Sequence, residues 1–143
     1  MRACWKRRKF EAGLGRHCEI VVKAYGLANP QWTPVIGASR EWMKLGYSLY
    51  GALKRYPLVY EMFPTASYKM LNHDFTLTAC VNFSNFARGP KDMLDACMAA
   101  LTVYEFVNGR GSEVGGGDGL GTIVLPRPLP ATGPTEVQSW PEE

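Results

Sequence analysis

Histidine and cysteine are scarce in this sequence, and neither is spaced as a metal site requires. The two histidines, His17 and His73, stand alone, so packing or surface roles are expected for both. Cys4, Cys18, Cys80 and Cys97 are far apart and form no CxxC pair, which excludes a zinc ribbon or a thioredoxin-type site and favours reduced thiols. Long apolar runs are missing as well, since nothing approaches the roughly 20 residues of a membrane span. The basic residues between Arg2 and Lys9 run into Phe10, Glu11 and Gly13 instead of an apolar stretch, so no secretory signal is read there. A reducing, cytoplasmic setting without a membrane is therefore the expectation. Charge is not lopsided either, with 16 Lys and Arg against 13 Asp and Glu and a net charge of +3. That balance does not by itself imply nucleic acid, because phosphate binding depends on clustered cations.

What is present fits one globular core. Hydrophobic residues make up 46% of the 143 and charged residues 20%, close to the globular average, and a chain of this length buries roughly two thirds of its unfolded surface. Residues 1–126 read as a single domain. Beyond Pro126 the sequence is rich in proline and poor in apolar residues, so residues 127–143 read as an extended or disordered tail outside the core.

Periodicity and turn residues supply the elements. The opening stretch through Leu14 reads as a basic helix, either a solvated face or a contact for nucleic-acid phosphates. Ile20-Val21-Val22 predicts a short strand within 19–25. Ser39 as an N-cap, followed by Trp42, Leu45, Leu49 and Leu53, predicts a helix over 40–56. Leu58 to Phe63 has the length and chemistry of an interior strand interrupted by Glu61, and residues 66–71 predict a short helix. Strict alternation from Phe75 to Phe83 predicts a half-buried strand. Gly89-Pro90 opens a helix that continues from Met93 to Val107 and ends at Asn108-Gly109. Its residues are apolar nearly all round, as expected for a helix packed on more than one side. Thr122 to Leu125 predicts a last strand. Gly115 to Gly121 lacks the Gly-Lys-Ser/Thr ending of a phosphate loop and precedes a strand, so it reads as a turn.

Acidic residues are the candidates for chemistry. Asp92 and Asp95, three apart near a helix start, leave the same helix face. They either complement the helix dipole or belong to a site. Glu61, inside an apolar run, must be neutralised, paired or bound to a cation. An ion pair with an Arg or Lys and a metal role both satisfy that need. Three carboxylates converging from a strand and a helix select magnesium or manganese, and such a site supports phosphodiester hydrolysis.

Two segments carry a family resemblance. Val59-Tyr60-Glu61-Met62-Phe63-Pro64 resembles a strand motif of an apolar pair, Glu, two apolar residues and Pro. Pro90-Lys91-Asp92-Met93-Leu94-Asp95-Ala96, with the alanine-rich helix after it and the Gly-rich run into Gly121-Thr122-Ile123-Val124-Leu125-Pro126, is similar to the C-terminal signature of the same family. The family is domain of unknown function 429, described as predicted nucleases of the RNase H fold, and the likeness covers roughly residues 38 to 126. It implies acidic family positions at Glu61, Asp92 and Asp95. The family's opening β-hairpin, with an aspartate on its first strand, has no counterpart here. The resemblance thus implies an α/β fold, an incomplete RNase H-like mixed sheet flanked by helices.

Two functions follow. One is a magnesium- or manganese-dependent nuclease or phosphodiesterase holding its ions with Glu61, Asp92 and Asp95, any missing ligand coming from a second chain or from Asp74 or Asp118. The other is a non-catalytic, self-associating remnant of the fold that acts as a binding or structural module. In both, a sheet that lacks its first strands favours a homo-oligomer, most simply a two-fold dimer, with the 75–83 segment as a candidate for exchange.

Overall fold

The computed structural model describes residues 15–34, 36–72, 74 and 91–140. The basic N-terminal run, the alternating segment 75–83 and the Gly89-Pro90 helix start lie outside the described residues. Within them the fold is mixed α/β, with four α-helices and a two-stranded antiparallel sheet.

The first helix, α1 (His17–Ala24), occupies the stretch where Ile20-Val21-Val22 predicts a strand. Strong local signals at both ends set the helix. Glu19, at its third position, accepts the backbone N–H of Arg16 at 2.9 Å, which is the half of a capping box open to an N-cap arginine, since arginine has no acceptor. At the other end Gly26 takes φ +63°. Leu27 N–H then bonds Val22 O at 3.0 Å and Gly26 N–H bonds Lys23 O at 2.8 Å, the paired closure that a left-handed glycine permits. Six consecutive residues, His17 to Val22, are buried. A helix covered on every side draws on tertiary packing, and that outweighs the modest β preference of three branched residues.

Helix α2 (Glu41–Leu53) forms where predicted, but its apolar stripe does not face the core. Trp42, Leu45 and Leu49 are 57, 61 and 55% exposed, while Met43 is 7% exposed. Met43, Gly46 and Tyr47 line one cavity and Tyr50 another. At about 100° per residue, that inward face is roughly a quarter turn from the stripe. Helix α3 (Pro64–Leu71) starts with Pro64 at its first position, where a missing N–H costs nothing. Helix α4 (Lys91–Val107) ends at Gly109, φ +74°, closed by Arg110 N–H to Glu105 O and Gly109 N–H to Phe106 O, each 3.0 Å. The hydroxyls of Thr102 and Ser67 meet at 2.9 Å between α3 and α4.

Strands β1 (Ser112–Gly115) and β2 (Thr122–Leu125) form a hairpin with Val114 opposite Ile123 and Gly115 opposite Thr122, so the Gly-rich stretch is part strand and part turn. The expected strand from Leu58 to Phe63 is reduced to one parallel bridge, Met62 to Val124, with Val124 N–H donating to Glu61 O at 2.8 Å. Leu58 is 70% exposed, so this run flanks the hairpin instead of lying inside a sheet.

The core gathers Cys18, Ile20, Val21 and Val22 of α1 with Ala66, Val114, Ile123 and Leu125. The proline-rich tail joins it, contrary to the expectation from composition. Val137 is 8% exposed, in a short 3-10 turn over Thr135–Gln138. The His17 ring lies between this turn and the hairpin. Its Nδ1 accepts Gly117 N–H at 3.1 Å, which leaves Nε2 to donate to Val137 O at 2.7 Å. Trp140 packs on the same ring at 5.3 Å. Among the described residues no helix is long and apolar enough to cross a membrane.

Candidate functional site

The predicted acids lie in three different settings. Glu61, fixed by its backbone bond from Val124 N–H, accepts two bonds from Arg16, from Nη1 to Oε2 at 2.7 Å and from Nη2 to Oε1 at 2.5 Å. Asp95 pairs with Lys91 one turn earlier on α4, at 2.9 Å, and its Oδ1 is buried with no hydrogen-bond partner among the described residues. Asp92 is exposed in the first turn of α4, as a carboxylate matched to the helix dipole. Among the described residues no group of three His, Cys, Asp or Glu side chains could hold a metal ion. Among the described residues, Glu61, Asp92 and Asp95 are therefore not gathered as the magnesium or manganese expected from three converging carboxylates requires. The reason is physical: Glu61 faces a guanidinium where a cation-binding cluster would have turned it toward other carboxylates. Of the other acids considered, Asp74 pairs with Arg127 at 2.6 Å. Asp118 accepts the N–H groups of His17 and Leu120, at 2.8 and 3.1 Å, the first of them at the start of α1.

Arg16 is the centre that the acids alone do not reveal. It is 3% exposed, and its Nε donates to Glu19 at 3.0 Å while both Nη groups hold Glu61. Glu19 also accepts the Thr33 N–H at 3.1 Å and the Thr33 hydroxyl. With four donors in all, its charge is well compensated. The buried Cys18 thiol beside this network is pushed up to about 12, chiefly by burial. Tyr50, on the other side of Glu61, is likewise pushed up to about 12, first by burial and then by the Glu61 charge.

Glu61 lies between two cavities. One, of about 320 Å³, opens between α1, α2 and the 61–64 segment and is lined by Arg16, Glu19, Trp42, Tyr47, Glu61 and Phe63 among others. The second, of about 370 Å³, lies between Tyr50, Tyr60, Glu61 and the hairpin residues Glu113, Leu120 and Thr122. The first combines mostly apolar walls with a few converging charges, which is the usual composition of a small-molecule site. Sequence spacing offers no route to it, because Arg16 and Glu61 are 45 residues apart.

Comparison of the chain with protein families, with curated proteins and with solved structures returns no match, so the likeness to domain of unknown function 429 rests on its two motifs alone.

Proposed function

We propose that this protein works as a non-catalytic, self-associating binding module, with the apolar stripe of α2 paired across a two-fold axis with a second copy of the chain. The observation that carries this reading is the turn of α2. Its inward face is formed by Met43, Gly46, Tyr47 and Tyr50, leaving Leu45, Leu49 and Leu53 outward, with Trp42 at the edge of one cavity but still 57% exposed. Leu58 and Val59, just beyond the helix, are exposed too. Together these six side chains present on the order of 600 Å² of apolar surface, the upper end of what single soluble chains leave uncovered. Paired with itself, the surface gives roughly 1,200 Å², enough for a specific interface. Self-pairing covers the stripe completely because a two-fold contact leaves no further sticky face. The separate engagement of Glu61 by Arg16 and of Asp95 by Lys91 supports the non-catalytic half of the reading.

Sedimentation equilibrium at micromolar concentration tests it. The expected result is a two-chain mass that falls to one chain in the double variant Leu45→Lys, Leu49→Lys, with helix content unchanged. A wild-type mass of one chain, held on dilution and in moderate salt, overturns the proposal.

A further inference from the structure

The Arg16 network is unbalanced. One guanidinium faces two carboxylates, Glu19 and Glu61, and among the described residues these three are the charged side chains that line the cavity. Arg16 and Glu19 are each 3% exposed, and the Glu61 side chain is 15% exposed. The start of α1 does not offset the excess, because Glu19 and Asp118 both already accept N–H groups there. A net negative charge in a largely desolvated site calls for a cation.

The two carboxylates are not equivalent. Glu19 is saturated by Arg16 and Thr33. Glu61 accepts one bond on each oxygen, both from Arg16, and each carboxylate oxygen has a second lone pair. Glu61 is thus the acceptor with spare capacity, at the edge of a cavity whose other walls include Trp42, Tyr47, Phe63, Met43 and Met62. Aromatic faces attract cations most strongly where water is excluded.

We propose that this cavity binds a protonated organic amine with an apolar body, its ammonium donating to Glu61 and its body lying among Trp42, Tyr47 and Phe63. Trp42 borders both this cavity and the outer stripe of α2, but the ammonium's acceptor, Glu61, belongs to the cavity, and amine binding is read separately from the oligomeric state.

Calorimetric titration of the full chain with three probes of one shape tests it: 2-phenylethylammonium, neutral 2-phenylethanol and anionic 3-phenylpropionate. The ammonium is expected to bind about tenfold or more tightly than either analogue. Glu61→Gln removes the charge, and the ammonium then loses that advantage. Because this change also loosens Arg16, a second variant guards against misfolding. Gly46 lies on the cavity wall, and a Cβ built there meets nothing within 4 Å. Gly46→Leu therefore fills the cavity and abolishes binding with an unchanged circular dichroism spectrum. Equal binding of the three probes, no binding of the ammonium, or undiminished binding by the Gly46→Leu variant would each overturn the proposal.

Discussion

Glu105 illustrates how single charges hold this protein together. It is fully buried, and it accepts bonds from Arg110 Nε and Nη2 at 2.8 and 2.7 Å and a further bond from Arg127. Arg127 in turn pairs with Asp74, so one cluster ties α4, the residues after β2 and the end of α3. Bonding to Arg110, assisted by Arg127 and opposed by burial, lowers the Glu105 carboxyl from 4.5 to about 2. A folded-state value below the unfolded one means that the stabilisation is complete above about pH 4.5 and is lost as pH falls toward 2. The expected outcome in acid titrations of unfolding free energy is a decline across that window in the wild type. Glu105→Gln starts lower at neutral pH, because two arginines lose their charge partner, and declines less steeply. Equal slopes in the two proteins would show that other carboxylates set the acid limit. At this scale the sequence displays the charges but not their partners: Glu61 reads equally well as a metal ligand or an ion-pair member until Arg16, 45 residues away, is seen beside it.

Between elements, β1 comes very close to α1. Gly115 has φ +93°, and a Cβ built on it would stand 2.5–2.6 Å from Cys18 N, Cα and Cβ. Any side chain there separates the helix from the hairpin. Gly119 also has positive φ, +69°, but open space around it. Urea unfolding should therefore separate the two: Gly115→Ala costs about 3 kcal/mol, while Gly119→Ala costs about 1 kcal/mol from backbone conformation alone. Similar losses would mean that β1 and α1 are less tightly apposed. The elements that sequence reading finds are those with explicit ends, such as Pro64 opening α3 and Gly109 closing α4. It fails at α1, where branched residues imitate a strand and the Glu19 and Gly26 caps outweigh them. It fails again at Leu58 to Phe63, where apolarity signals an exposed flank instead of an interior strand. In α2 the period is right and the direction is not, because Met43, Gly46 and Tyr47, less apolar as a set than the leucines, take the inward face.

Across the whole molecule the 127–140 segment belongs to the fold. Composition suggested otherwise because three prolines, Pro128, Pro130 and Pro134, hide two anchors, Val137 and Trp140. Ending the chain after Pro134 removes both, and it leaves the buried His17 Nε2 without Val137 O as its acceptor. The expected loss is about 2 kcal/mol or more, read as a lower melting temperature. An unchanged melting temperature would show that the segment rests on the core without supporting it.

The His17 to Val137 contact spans 120 residues, and that separation has a consequence for the order in which the protein takes shape. Synthesis delivers α1 first, yet an eight-residue helix has no lasting stability by itself. Leu27 and Ala66 contribute to its cover, but Val114, Ile123, Leu125 and Val137 leave the ribosome long afterwards. Until then Cys18, Ile20, Val21 and Val22 are a sticky, β-prone stretch of nascent chain that lacks the hairpin side of its cover. Closing so long a loop is slow compared with forming local contacts. Folding of the described core is therefore completed only when the hairpin arrives, and a ribosome stalled before residue 112 holds a chain in which α1 has its caps but not most of its cover.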